Sequence, residues 1–149
     1  MIKKILVPTD GSKTARKSVE YAIDLAKQVN ATITLLSVID KSHFIPQTMP
    51  PVKTPTHLME PIEDYLRQAA EAYLNEAEIL CKKNEVQSKR VISSGHPVEE
   101  IVKEAEKSKT DLIIIGSHGR SVMKAAFLGS VTYGVINKDT KIPVLVVRK

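Results

Sequence analysis

Leu112-Ile113-Ile114-Ile115-Gly116-Ser117-His118-Gly119 carries an uninterrupted apolar run straight into a glycine turn, and further on Gly129-Ser130-Val131-Thr132 opens a second one. A short run this rich in β-branched residues and closed by glycine reads as a strand buried on both faces, the habit of parallel sheets. The glycines that follow let backbone N–H groups approach an anion with no Cβ in the way. A helix starting at Ser130 adds partial positive charge, so strand, glycine loop and helix in that order favour a phosphate-bearing ligand.

Working outward, Lys4 to Pro8, Thr32 to Ile39 and Val144 to Val147 join Asp111 to Ile115 as apolar runs that predict buried strands, and the half-polar Ser88 to Ser93 suits an edge strand. Helical periodicity lies between them. Lys13 to Val29 sets Ala15, Val19, Ala22, Ile23 and Ala26 on one face, with Ser12 as cap. A second helix is predicted to begin near Pro61, with Ile62, Leu66, Ala69, Tyr73, Ala77 and Leu80 recurring along it and Tyr65 and Tyr73 as packing residues. A third starts at Pro97, with Glu99 and Glu100 complementing its dipole, and a last one runs from Gly129-Ser130 to about Asn137, after a short helical turn from Val122 to Phe127. Strands alternating with helices indicate a right-handed doubly wound α/β fold with helices on both faces of the sheet. Residues 40 to 61 break the rhythm: Pro46, Pro50, Pro51, Pro55 and Pro61 predict an extended loop on the ligand rim, either a lid or a disordered insertion.

Composition narrows the function. The 149 residues suit one domain, 1–149, and 42% hydrophobic with 26% charged residues is ordinary for a soluble globular chain. No apolar run approaches the roughly 18 residues of a membrane span, and Met1-Ile2-Lys3-Lys4 leads into a strand with no signal-peptide core, so the expected location is cytoplasmic. The single cysteine, Cys81, falls on the apolar face with Leu74 and Ala77 and reads as a buried core thiol. The net charge of +5 is spread along the chain, with acids interleaved and no alternating aromatics, which argues against nucleic acid as partner.

The glycine loop matches neither standard phosphate motif. Gly129 and Gly134 are followed by Val135-Ile136 where a Walker loop needs Lys-Ser/Thr, and there is no Gly-x-Gly-x-x-Gly. Its spacing, Gly116-x2-Gly119-x9-Gly129-Ser130, resembles that of the ATP-binding branch of the universal stress protein family. So do Ile5-Leu6-Val7-Pro8-Thr9-Asp10-Gly11-Ser12, Gly95-x-Pro97-x3-Ile101 and Pro143-Val144-Leu145-Val146-Val147-Arg148. The resemblance covers nearly the whole chain except residues 41 to 60.

That resemblance implies a five-stranded parallel sheet in the order 3-2-1-4-5, which places Pro8-Thr9-Asp10 and Gly116 on one rim. It implies ATP as ligand. Asp10 would accept hydrogen bonds from ribose; Pro8 and Thr9 would line the same wall, and Val38 would touch adenine with side chain and backbone. Ile115 would turn its carbonyl to the base. Gly116, Gly119 and Gly129 would admit ribose and phosphates, with Ser130, Val131 and Thr132 as donors. Each position also has a plainer reading: Asp10-Gly11-Ser12 as a turn and helix cap, Val38 as core, the glycines as turns, Ser130 as an N-cap. His118 sits inside the loop, either touching ligand or closing the turn, and Arg120 and Lys124 are either phosphate contacts or solvated. No neighbouring Cys, His or Glu gives a metal-ligand spacing, so Mg²⁺ is expected only through the nucleotide's own phosphates. The expected function is a nucleotide-dependent regulatory or stress-response module with an unspecified protein partner and no assigned catalytic residue. A slow ATPase or phosphotransferase using the same pocket, or a protein-interaction domain with purely structural glycines, is the alternative. The final apolar strand, expected at a sheet edge, invites a homodimer; Lys141, Arg148 and Lys149 are what would shield it in a monomer.

Overall fold

A computed structural model of the chain describes residues 1–40, 56–119 and 128–149. Five strands, β1 (Lys4–Pro8), β2 (Thr32–Ile39), β3 (Ser88–Ser94), β4 (Leu112–Gly116) and β5 (Val144–Val147), form one sheet in the order β3-β2-β1-β4-β5. Every pairing is parallel. The winding runs outward from β1 to β3 and then restarts at β4, so β1 and β4 flank the point where the winding reverses, the usual ligand site of such sheets.

Side-chain alternation divides the core in two. Ile5 and Val7, Ile33 and Leu35, and Leu112 and Ile114 pack beneath α1 (Lys13–Val29) and α2 (Thr56–Lys83). Leu6, Leu36, Ile113 and Ile115 pack on the other face, beneath α3 (Pro97–Lys107) and α4 (Ser130–Ile136). The central strands are therefore covered on both faces, which is why β1, β2 and β4 are largely apolar, whereas β3 at the sheet edge is half-polar and partly exposed.

The helix ends follow local chemistry. The hydroxyl of Ser12 accepts from the Ala15 N–H at 3.1 Å to start α1, and Asn30, in left-handed conformation, closes it. Pro97 opens α3, where a missing N–H costs nothing. Cys81 is fully buried, and burial pushes its thiol pKa up, outweighing a hydrogen bond with Ser88.

Several expectations change. α2 begins at Thr56 rather than near Pro61, so Pro61 lies inside the helix and removes one intrahelical donor. The expected loop is thereby shortened to a stretch whose residues 41–55 lie outside the described ones. Leu74, Ala77 and Cys81 are buried as expected and Ala70 joins them, whereas Ala69 and Tyr73 are only partly buried and Tyr65 is 68% exposed rather than packed. Gly129, not Ser130, is the N-cap residue of α4, and β4 begins at Leu112 and includes Gly116. The expected turn from Val122 to Phe127, with Arg120 and Lys124, falls outside the described residues.

Asp111 staples the start of β1 to that of β4: one carboxylate oxygen accepts the N–H groups of Lys3 at 2.8 Å and Lys4 at 2.9 Å. The Lys3 bond, then the Lys4 bond, hold its pKa below the ordinary aspartate value. A depressed folded pKa means the stabilisation is present above the unfolded value, about 3.9, and is lost as pH falls through the folded one. Asp111→Asn keeps an acceptor but removes the charge. It is expected to be less stable than the parent at pH 7 and pH 5, and the gap should narrow below pH 4 in urea titrations; a gap that widens on acidification would contradict the staple.

Candidate nucleotide site

The C-terminal ends of β1, β2 and β4 border a cleft of about 460 Å³, inside the roughly 300–1,000 Å³ of small-molecule sites. Pro8, Thr9, Asp10, Val38, Ile115, Gly116, His118, Gly119, Gly129, Ser130, Val131 and Thr132 all line it. The tertiary fold thus gathers residues from four separate stretches of sequence. Arg120 lies outside the described residues.

The glycine loop is held by a short chain of hydrogen bonds. Ser117 N–H donates to the Val147 carbonyl at 2.8 Å, and Gly129 N–H donates to the Ser117 carbonyl at 2.7 Å. The buried Thr132 hydroxyl donates to the Gly116 carbonyl at 2.7 Å, and the Ser117 hydroxyl pairs with His118 Nδ1 at 2.9 Å. These bonds draw Gly129 back onto the end of β4, although nine residues separate it from Gly119. The Gly129 N–H and the Thr132 hydroxyl are therefore spent on loop closure. The backbone N–H groups of Ser130, Val131 and Thr132 precede the first intrahelical bond of α4, from Tyr133 N–H to the Gly129 carbonyl, and are the donors that such a turn offers to a ligand.

Each glycine is required for a different reason. A Cβ on Gly116 would stand 2.8 Å from the Thr14 methyl and 3.0 Å from the Thr14 backbone, so this glycine lets α1 cross the end of β4. A Cβ on Gly119 would stand 2.6 Å from Asp10 Oδ2, which puts the β1 carboxylate directly against the loop. On Gly129 it would meet the His118 Cα and the Ser117 carbonyl at 3.3 Å. None of the three has the positive φ seen at Gly11 and Gly95; space, not backbone conformation, is what they supply.

Asp10 has a structural role as well as its place in the cleft. Its Oδ1 accepts the Ser12 N–H at 2.9 Å, closing the turn that leads into α1. That bond fixes the side chain so that Oδ2 faces Gly119.

The β2 end of the cleft follows from sheet geometry. The Thr9 N–H donates to the Leu36 carbonyl at 2.8 Å, and the β1–β2 register ends at Pro8 opposite Leu36. Backbone groups repeat their direction every second residue, so the N–H and carbonyl of Val38 also point toward β1, beyond where β1 has turned away. Val38 and Ile115 both belong to the apolar cluster under α3.

Leu36, Asp40, His96, Pro97, Val98 and Ile101 also line the cleft and were not among the expected residues. Two signals pointed to them. Leu36 and Asp40 are the period-two neighbours of Val38, and Gly95-x-Pro97-x3-Ile101 stood out as a motif without a position relative to the rim. Among the described residues, no group of three or more His, Cys, Asp or Glu side chains is placed to hold a metal ion, and no helix is long and apolar enough to cross a membrane.

A doubly wound α/β sheet with a polar-lipped cleft at its winding reversal defines the class. The chain belongs to the universal stress protein family, whose model matches residues 1–148. Universal stress protein MJ0577 of Methanocaldococcus jannaschii is 38% identical over 157 residues, covering 100% of this chain and 96% of the relative. Its solved structure superposes with a TM-score of 0.86, at 34% identity in that superposition, covering 100% of this chain and 97% of that one. A universal stress protein solved in complex with cAMP matches with a TM-score of 0.69 at 25% identity, covering 99% and 97% of the two chains.

Proposed function

We propose that this chain binds ATP in the rim cleft and acts as a cytoplasmic, nucleotide-dependent regulatory module. The observation that carries the reading is what shares one cleft: apolar Val38, Leu36 and Ile115, the Asp10 carboxylate, and the glycine loop with the start of α4, Gly119, Gly129 and Ser130 to Thr132. Adenine lies against Val38 and Ile115, with the Val38 N–H donating to a ring nitrogen and its carbonyl accepting from the amino group. Ribose hydroxyls donate to Asp10, and the phosphates, carrying their own Mg²⁺, meet the glycine loop. The cAMP complex of a relative supports an adenine nucleotide as the class of ligand.

Freshly purified protein, denatured and analysed for released nucleotide, is the direct test. Nucleotide-free protein should then gain thermal stability with ATP, because a ligand that binds only the native state stabilises it by mass action. No melting shift at saturating ATP, ADP or AMP would remove the site.

The same module is proposed to be a homodimer. β5 pairs with β4 alone and leaves its outer edge unpaired among the described strands; Val144, Leu145, Val146 and Val147 are only half-buried there. Tyr133, 63% exposed, and Ile136, 45% exposed, extend apolar surface from α4. Two copies meeting β5 to β5 under two-fold symmetry would cover both edges. Val146→Lys is expected to shift the protein to monomer in light scattering with its circular dichroism retained, and a wild type that stays monomeric at high micromolar concentration would refute the dimer.

A further inference from the structure

Sheet order sets the direction of the ligand. The phosphate end lies at β4 and the ribose carboxylate at β1, so a nucleotide along this rim has its base over the end of β2. What stands beyond the base belongs to the ends of β2 and β3. Leu36, Val38 and Asp40 fall at alternate positions and share a face, and all three line the cleft. Gly95 N–H donates to the Ile39 carbonyl at 3.0 Å, which holds the turn into α3 against the end of β2 and brings His96 to the same end of the cleft. His96 makes no side-chain cap bond to α3.

We propose that Asp40 sets the base specificity of the cleft, accepting a hydrogen bond from the exocyclic amino group of adenine and repelling the carbonyl oxygen that guanine carries at that position. The inference rests on the nucleotide reading above. An ionised carboxylate only accepts hydrogen bonds, so it rewards an amino group and penalises a carbonyl. The amino group has two hydrogens: one for the Val38 carbonyl on β2, the other for the carboxylate two residues further on, just past the end of that strand. His96 and Pro97 line the same cleft as Val38 and Asp40.

The test is direct titration of nucleotide-free protein with ATP and with GTP, for wild type, Asp40→Asn, Asp40→Ser and Asp10→Ala. Wild type is expected to prefer ATP by at least about tenfold, the worth of one charged hydrogen bond. Asp40→Asn offers an amide donor to a carbonyl and should cut the preference by about tenfold, and Asp40→Ser should do the same with the carboxylate simply removed. Asp10→Ala should weaken both nucleotides by a similar factor and leave their ratio unchanged. A ratio unaltered in both Asp40 variants that still bind ATP would overturn the assignment. Equal wild-type affinities for ATP and GTP would overturn it too, while leaving the nucleotide reading intact. A folded wild type that binds neither would remove both readings.

Discussion

Gly129→Asp is expected to lower ATP affinity by roughly 100-fold or more while leaving the chain folded. Gly129 occupies the N-cap of α4 with φ −67° and ψ 158°, an extended conformation open to any residue. Aspartate is among the preferred residues at that position, so the helix start is not the casualty. The casualty is the loop and what it faces. A Cβ there meets the His118 Cα and the Ser117 carbonyl at 3.3 Å, and the new carboxylate would stand among the N–H groups proposed to receive phosphate. Losing two charged hydrogen bonds costs roughly 3–6 kcal/mol, or a factor of about 100 or more at 1.4 kcal/mol per tenfold; like-charge repulsion adds to it. Calorimetric titration with ATP and far-ultraviolet circular dichroism on the same sample separate binding from folding. An affinity within threefold of wild type would place the phosphates elsewhere.

Gly11→Ala is expected to destabilise the fold by about 2–5 kcal/mol, even though Gly11 lies in an exposed turn. Two costs combine there. Gly11 has φ +77°, where a side chain is strained, at about 1–2 kcal/mol. Its Cβ would also stand 2.3 Å from the Tyr73 ring of α2, and displacing a packed ring adds roughly 1–3 kcal/mol. For a chain of this size each kcal/mol lowers Tm by roughly 2–4 °C, so the melting point should fall by about 10 °C. In a Tyr73→Ala background the ring is gone and only the backbone strain should remain, so the two substitutions together should cost less than their sum. A loss below about 1 kcal/mol in the parent, or strict additivity in the double variant, would show that the turn and α2 are not coupled in this way.

The candidate site was legible as a set of short signals rather than as an assembled cleft. Gly116, Gly119, Gly129 and Asp10 announce themselves in the sequence because glycine after an apolar run and Asp-Gly-Ser after another are local patterns. Their separate reasons are not local. Gly116 is small because of Thr14, Gly119 because of Asp10, and Gly129 because the loop folds back on Ser117 and His118. Ser130 looked like the cap, yet the cap is Gly129, since the Ser117 carbonyl claims the Gly129 N–H and sets where the helix starts. Asp40 and His96 escaped notice because their local marks, the period-two step from Val38 and the Gly95-x-Pro97 motif, do not say where on the rim they fall. Only the β2–β3 register and the Gly95–Ile39 bond carry them to the rim.

For the fold, the sequence by itself determined the elements and their class. Short β-branched runs can satisfy their backbone groups only by pairing, apolarity on both faces demands cover on both faces, and the intervening helical stripes provide it. It also determined the start of α1, since Ser12 bonds to Ala15 within its own turn. Pattern alone did not choose the strand order, because β1, β2 and β4 are all apolar on both sides and would fit any interior place; the order 3-2-1-4-5 came from resemblance, and the tertiary structure bears it out. Tertiary packing alone decided that α2 runs through Pro61 from Thr56, that Tyr65 faces solvent while Tyr73 lies on Gly11, and which residues meet in the cleft. Periodicity reports how a residue relates to its neighbours along the chain, whereas these outcomes depend on contacts between segments far apart in sequence, which exist only once the sheet has closed.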